Sequence, residues 1–242
     1  MAFYDFEGRE VDTNTFVDLY APSYFLGENK APGIQYTQTS KFVEDEIEHI
    51  LNNHFKQYSD IAKVLAWKIG KIKHLESEKN KQFIYHSDWA SCEHNNPLRF
   101  SKEFDLNTFA EYLLNNNNIN TLEDLASNNP QECLRLIRNH SIRGIGTVYL
   151  ITILFFLSHG KYPIYDRFAM AAMTADEKNC RPGADIEVKP LPSKWDKGFA
   201  TICDCEYLDY INKLDKLDID YKSNRRLDRA LWVYGHAFNV IS

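Results

Sequence analysis

Residues 131–170 carry the pattern with the clearest chemistry. Gly144 and Gly146 stand just before Thr147–Leu157, a strongly apolar stretch that predicts a helix. Glycine permits a sharp turn, and the backbone N–H groups at a helix N-terminus bind anions. The segment Ser141–Gly146 therefore predicts a hairpin that binds phosphate without reading base sequence. The basic side chains close to it in sequence are Arg135, Arg138, His140 and Arg143.

Asp166 lies 20 residues after Gly146, beyond the apolar helix and a short loop. A carboxylate held close to a reacting centre can stabilise positive charge and activate water. Aspartate is also a common helix cap, and Asp166 precedes a predicted helix over Arg167–Met173. The two roles are compatible, because a cap fixes the side chain at the start of the helix.

These residues resemble those of the helix-hairpin-helix DNA glycosylases, the superfamily that includes the endonuclease III, adenine, 8-oxoguanine and 3-methyladenine glycosylase groups. The family's hairpin reads leucine-proline-glycine-(valine or isoleucine)-glycine, and a helix and a loop that ends in a catalytic aspartate follow it. In this chain Ile142–Gly146 is similar to the hairpin, and Tyr162–Arg167 is similar to the aspartate loop. The resemblance is specific over residues 131–170.

The resemblance implies an all-α, two-lobed fold with a cleft between the lobes. Residues 56–158 would form the lobe with the hairpin, and residues 1–55 and 159–242 the lobe with the aspartate loop. It also implies that Asp166 is catalytic and that DNA contacts come from Ile142, Arg143, Gly144, Ile145, Gly146 and Thr147. The expected activity is removal of a damaged or modified base that has been flipped out of double-stranded DNA.

Aromatic side chains are the candidates to stack on a flipped base, and they make up 14% of the chain. Most aromatic residues are core residues, because they bury the most surface. Tyr149 and Tyr165 flank the motif and are the better candidates. The wider set also includes Trp67, Tyr85, Trp89, Trp232 and Tyr234.

Three departures from the family pattern refine the expected chemistry. Val148 stands where the bifunctional members carry the lysine that forms a Schiff base, so we expect a monofunctional enzyme without lyase activity. Lys161, in the loop, is the only lysine in this segment and so the only candidate for a Schiff-base nucleophile there. The four-cysteine cluster of the endonuclease III branch is absent, since Cys203 and Cys205 lack partners. The third departure is Arg143, which stands where the family's hairpin has its usual proline.

Composition predicts a packed, mainly helical protein. The chain has 242 residues, of which 44% are hydrophobic and 26% charged, with only 10 glycines and 8 prolines. The net charge of −6 gives no global attraction to nucleic acid, so any binding of DNA has to occur at a local surface patch. We expect a monomeric, cytoplasmic protein, nucleoid-associated in a bacterial source. We also expect no cofactor, no membrane partner and no metal, because His86, His94 and His159 lack ligand spacing.

Apolar periodicity, caps and helix breakers place the remaining elements. Residues 1–40 are expected to be irregular, and residues 76–102 and 175–200 to be loops, with a turn over Asn115–Asn118. Helices are expected from Lys41, over Asp60–His74, over Thr108–Leu114, from Thr121, over Gln131–Asn139, over Tyr207–Leu217 and over Arg225–Phe238.

Two other interpretations stay open at this point. The chain could be a non-catalytic helix-hairpin-helix protein that binds DNA, or a helical domain with no role in nucleic-acid binding. The arginines of the last helix could pair with Asp228 and other acids or face DNA. The sequence does not name the base that an enzyme of this kind would remove.

Overall fold

A computed structural model describes most of the chain. It covers residues 2–25, 28, 30–34, 40–68, 72–77, 80–85, 106–140, 146–189, 191, 206–217, 219 and 225–241. The structure is mostly helical, which confirms the expected class at that level. None of the helices within these residues is long and apolar enough to cross a membrane.

The described residues form helices and three short strand pairs. The helices are α1 (Thr13–Tyr20), α2 (Lys41–Asn53), α3 (Tyr58–Lys68), α4 (Leu106–Leu114), α5 (Asn116–Asn128), α6 (Pro130–His140), α7 (Thr147–Leu157), α8 (Arg167–Ala172), α9 (Glu206–Leu214) and α10 (Arg226–Gly235), with a 3-10 helix over Ala21–Tyr24. The strands are β1 (Phe3–Tyr4), β2 (Glu10–Val11), β3 (Ile72–Ser77), β4 (Asn80–Tyr85), β5 (Asp185–Glu187) and β6 (Asn239–Ile241). β1–β2 and β3–β4 are antiparallel pairs, and β5 pairs with β6 in parallel.

The chain divides into two compact units. The hairpin unit is formed by the described residues within 39–162 and holds α2–α7 and β3–β4. The loop unit is formed by those within 1–38, 163–193 and 200–242 and holds the remaining elements.

The core of the hairpin unit is centred on α7. This helix is apolar on every face, and the side chains from Leu150 to Leu157 are all buried. A helix of that composition requires neighbours all round, and α3, α5 and α6 pack against it. The bounds found for α7 are the predicted ones.

The core of the loop unit is aromatic and surrounds α10. Phe3 stacks on Phe16 at 4.1 Å, and Phe6 stacks on Tyr234 at 4.8 Å. α10 packs on α1, on the 3-10 helix and on α8. Gly235 is required at the last of these contacts, because a Cβ at this position would lie 1.9 Å from the carbonyl oxygen of Phe168.

The structure corrects several expected elements. The helix predicted over Asp60–His74 ends at Lys68, and β3 and β4 pair where the end of that helix and a loop were expected. The pairing of β3 with β4 overrides the local preference for helix, and the helical spacing of apolar residues does not reveal it. The first 40 residues contain α1 and the β1–β2 pair, and β5 interrupts the loop expected over 175–200.

The asparagine run also differs from its prediction. Asn115 is the N-cap of α5, and its side chain accepts a hydrogen bond from the Asn117 amide at 3.0 Å. α5 therefore starts at Asn116, before the predicted start at Thr121. Asparagine favours both turns and N-caps, and here the cap prevails.

Candidate active site

The structure describes the two helices that flank the predicted hairpin and the last residue of the hairpin, Gly146. α6 and α7 pack against each other on either side of the connection. Ile142, Arg143, Gly144 and Ile145, which are predicted to contact DNA, lie outside the described residues.

Gly146 is the N-cap of α7 and has an extended backbone with φ −82° and ψ 172°. Any residue adopts this conformation, so the turn does not require glycine at this position. A Cβ at Gly146 would meet no described atom within 4 Å outside its chain neighbours, so packing does not require glycine either. Among the described atoms, none occupies the position of a Cβ at Gly146, next to the first turn of α7, where helix N–H groups have no intrahelical acceptor.

The first side chains of α7 differ in exposure. Thr147, one of the predicted DNA contacts, is only 4% exposed, so the structure buries it almost completely. Val148, at the position of the family's lysine, is half-buried, and so is Tyr149. Burial raises the pKa of Tyr149 to about 12, so its phenol is neutral at physiological pH. Because Tyr149 is not fully buried, it remains the candidate to stack on a flipped base.

The positive charge next to the hairpin is partly engaged within α6. Arg135 Nε lies 2.6 Å from Oε2 of Glu132, and Arg135 Nη2 pairs with the other carboxylate oxygen. The His140 ring stacks on Tyr112 at 3.8 Å. An exposed pair such as Arg135–Glu132 adds little stability, so a phosphate can compete for the guanidinium.

Asp166 caps α8, as its position predicts. Its Oδ1 accepts a hydrogen bond from the Phe168 amide at 2.9 Å, and its carbonyl accepts one from Met170 at 2.9 Å. The backbone of Asp166 is extended and the residue is half-buried. The carboxylate is therefore held in one orientation at the end of the loop.

The segment before Asp166 is held by α9. The Tyr207 hydroxyl donates to the carbonyl of Pro163 at 2.8 Å. The Tyr165 ring meets Tyr207 and Tyr210 edge to face, with centroids 6.4 Å and 5.5 Å apart. Tyr165 is 2% exposed, so the structure places this predicted base-stacking residue in the core, where it positions the loop.

Tyr210 lies close to two carboxylates. Burial raises its pKa well above the ordinary value, and the negative charges of Asp228 and Asp166 raise it further. The Asp228 carboxylate accepts a hydrogen bond from the Arg225 guanidinium at 3.2 Å. Tyr210 is thus a neutral phenol within electrostatic reach of Asp166.

Sequence reasoning missed the supporting role of α9. Tyr207 and Tyr210 are three residues apart, so they lie on the same face of a helix. Their spacing predicts a buried aromatic face, but it does not say which loop that face covers.

The arginines of α10 bind partners within the loop unit. Arg225 pairs with Asp228, and Arg226 Nη2 lies 2.5 Å from Asp18 Oδ1. Arg229 is 9% exposed, with its guanidinium 5.1 Å from the Phe25 ring. The sequence left open whether these arginines pair with acids or face DNA. In the structure, Arg225 and Arg226 pair with acids.

Lys161 also has a partner. Its ammonium donates a hydrogen bond to the carbonyl of Ser127 on α5, within the hairpin unit. This contact ties the turn after α7 to α5 and engages one of the three N–H donors of the amine that the sequence left as a possible lyase nucleophile.

Comparison with known proteins adds no relative. No protein-family model, curated protein or solved structure matches the chain. The functional argument therefore depends on the chain's own residues.

Proposed function

We propose that this protein is a monofunctional DNA N-glycosylase. It would hold double-stranded DNA by its backbone phosphates, flip out a damaged or modified base and hydrolyse the N-glycosidic bond to leave an abasic site. The half-buried ring of Tyr149 is the candidate to stack on the flipped base.

The observation that carries this proposal is the fixed carboxylate of Asp166. It follows the glycine-capped helix α7, it is bound to the Phe168 amide, and α9 holds the loop that precedes it. A carboxylate kept in place costs no reorganisation when positive charge develops on the sugar.

The chemistry follows from this placement. The bond between the base nitrogen and C1′ breaks, the departing base takes the electron pair, and positive charge grows on the sugar. Asp166 stabilises that charge and accepts a proton from the attacking water, whose oxygen forms the new bond to C1′. Every part of this step is supplied by water, substrate and one carboxylate.

The glycine at the N-cap of α7 supports the DNA-binding half of the proposal. Neither the backbone conformation nor the packing of the described residues requires glycine at Gly146, and a residue without a side chain puts no Cβ between a phosphate and the N–H groups of the helix. Contacts from backbone N–H groups to phosphate orient a duplex without selecting its sequence.

The test is a panel of duplexes, each with one modified base: an oxidised purine, an alkylated purine, a mismatched base or a bulky modified pyrimidine. We expect one class to release its free base, identified by mass analysis, with strand breaks only after added alkali. Duplex binding that weakens with salt but releases no base would instead favour the non-catalytic DNA-binding protein. No salt-sensitive binding would remove the nucleic-acid role altogether.

A further inference from the structure

A second cluster of reactive side chains lies within the hairpin unit. His54, Glu123 and His159 each offer one ligand atom, and these three atoms lie within 4.8 Å of one another. His54 Nδ1 is 2.7 Å from Glu123 Oε1, and the two imidazole rings meet edge to face with centroids 4.2 Å apart. Two imidazoles and a carboxylate are a ligand set that zinc uses in proteins.

The three residues come from separate elements. His54 ends α2, Glu123 lies on α5, and His159 lies in the turn after α7. The ligands are far apart along the chain, so the sequence shows none of the short spacings by which metal sites are recognised. For this reason sequence reasoning gave His159 no metal partner.

The backbone at both histidines is unusual. His54 has φ 67° and ψ 168°, a region that is essentially restricted to glycine, and His159 has φ 52°. They are the two non-glycine residues with positive φ in the described part of the chain. Glycine fits the backbone at position 54 with less strain, so backbone geometry alone does not account for a histidine there.

Neighbouring contacts hold the cluster together. Next to His54, the Phe55 ring stacks on Phe156 of α7 at 5.6 Å. Lys161 binds the carbonyl of Ser127, which lies one turn after Glu123 on α5. Both ends of the cluster are therefore fixed to α5 and α7 by groups outside the cluster.

We propose that His54, Glu123 and His159 bind a divalent transition-metal ion of the zinc class. The ion would replace the hydrogen bond between His54 and Glu123. Side-chain exposures of 46% for His54 and 21% for Glu123 leave room for a water ligand and for small rotations. Ligand atoms of a tetrahedral zinc site lie roughly 3.4 Å apart, so the His54–Glu123 pair must widen from 2.7 Å while the wider separations, up to 4.8 Å, close.

Such an ion would join the end of α2, α5 and the turn after α7. A metal that binds only the folded chain stabilises it by mass action. The proposal does not depend on glycosylase activity, and its readouts are metal affinity and thermal stability.

The test uses the full chain after chelator treatment, titrated with Zn²⁺ and with Co²⁺ as a spectroscopic probe. The ligand variants are His54→Gly, Glu123→Gln and His159→Asn, and the control is His49→Gln, which changes an exposed histidine outside the cluster. Glycine at 54 and asparagine at 159 suit the local backbone, so these variants are expected to fold.

We expect one ion per chain and a cobalt spectrum typical of nitrogen and oxygen ligands. Each ligand variant should lower the affinity by about a hundredfold or more, while His49→Gln leaves it unchanged. Zn²⁺ should raise the melting temperature of the wild type and of His49→Gln, but not of His54→Gly. Unchanged affinity in His54→Gly, thiolate bands in the cobalt spectrum, or no zinc binding at micromolar concentration would overturn the proposal.

Discussion

At the scale of single residues, Asp166 joins a structural role to a proposed chemical one. Its carboxylate caps α8 through the Phe168 amide, and the same contact orients it. The cap and the charge are separable, because asparagine caps a helix about as well as aspartate but carries no charge. One substitution therefore distinguishes the two roles.

We predict that Asp166→Asn abolishes base release while the protein stays folded. Unfolding free energy should change by less than about 1 kcal/mol, because the cap is kept. The rate of base release should fall by a factor of about 10² to 10³ or more. DNA affinity should be equal or higher, because a negative charge near phosphate is removed. Single-turnover assays, thermal unfolding and duplex titration measure these three quantities.

The matched control is Asp12→Asn, which makes the same change at the N-cap of α1. Asp12 accepts a hydrogen bond from the Thr15 amide, as Asp166 does from Phe168. We expect full base release in this control. Full activity in Asp166→Asn at equal folding would remove Asp166 from the proposed chemistry.

Gly146 gives the second prediction at this scale. Its extended backbone accepts a β-branched residue, so Gly146→Val should lower the unfolding free energy by no more than about 1 kcal/mol, the cost of valine at an N-cap. The new side chain would occupy the open space before α7 and block phosphate from the backbone N–H groups. Binding should weaken to a similar degree for every duplex, measured by fluorescence anisotropy. A loss limited to one modified base would instead place Gly146 in the base pocket.

At the scale of elements, the packing of α8 on α10 determines where Asp166 is held. We predict that Gly235→Ala destabilises the protein by about 1 to 3 kcal/mol, because its Cβ would lie 1.9 Å from the Phe168 carbonyl oxygen and force the helices apart. Denaturant unfolding measures the change. Gly146→Ala is the control, since its Cβ meets open space. Equal stability of the two variants would show that α8 moves freely on α10.

The sequence predicts some elements well because their signals are local. The bounds of α7 follow from an unbroken apolar run between a glycine and a turn, and the Asp166 cap follows from its place before a helix. The β3–β4 pair was missed because helical spacing continues to Ile69 and Ile72, while the strand depends on a partner in the next segment.

The candidate site was predicted less completely than the fold. Asp166 was identified from its distance to the hairpin, but the clamp that Tyr207 and Tyr210 place on its loop joins positions more than 40 residues apart. The cluster of His54, Glu123 and His159 also joins residues that are far apart along the chain. Contacts of this kind depend on tertiary packing, which a single sequence does not encode as a local pattern.

At the scale of the whole molecule, the net charge of −6 opposes binding to DNA. The proposed binding then depends on a local site, and the site that we propose is the backbone N–H groups at the start of α7, which carry no formal charge. At the start of α10, Arg225 is buried and paired with Asp228, whereas Arg226 and Asp18 form an exposed pair for which a phosphate can compete.

The reaction outcome is also a property of the whole chain, because any accessible amine could attack the sugar. We predict that the proposed reaction leaves an intact abasic site and that the protein forms no Schiff base with DNA. Val148 is inert, and the Lys161 ammonium is bound to the Ser127 carbonyl. Borohydride added to enzyme and substrate should therefore trap no covalent adduct, and strand breaks should appear only after alkali.

The control for this prediction is Lys161→Ala. Loss of its hydrogen bond to Ser127 loosens the turn after α7, so a small drop in melting temperature is expected without any change in product. A borohydride adduct in the wild type that disappears in Lys161→Ala would move the nucleophile to the loop and make the enzyme bifunctional. An adduct that persists in this variant would require an amine elsewhere in the chain, and peptide mapping of the adduct would locate it.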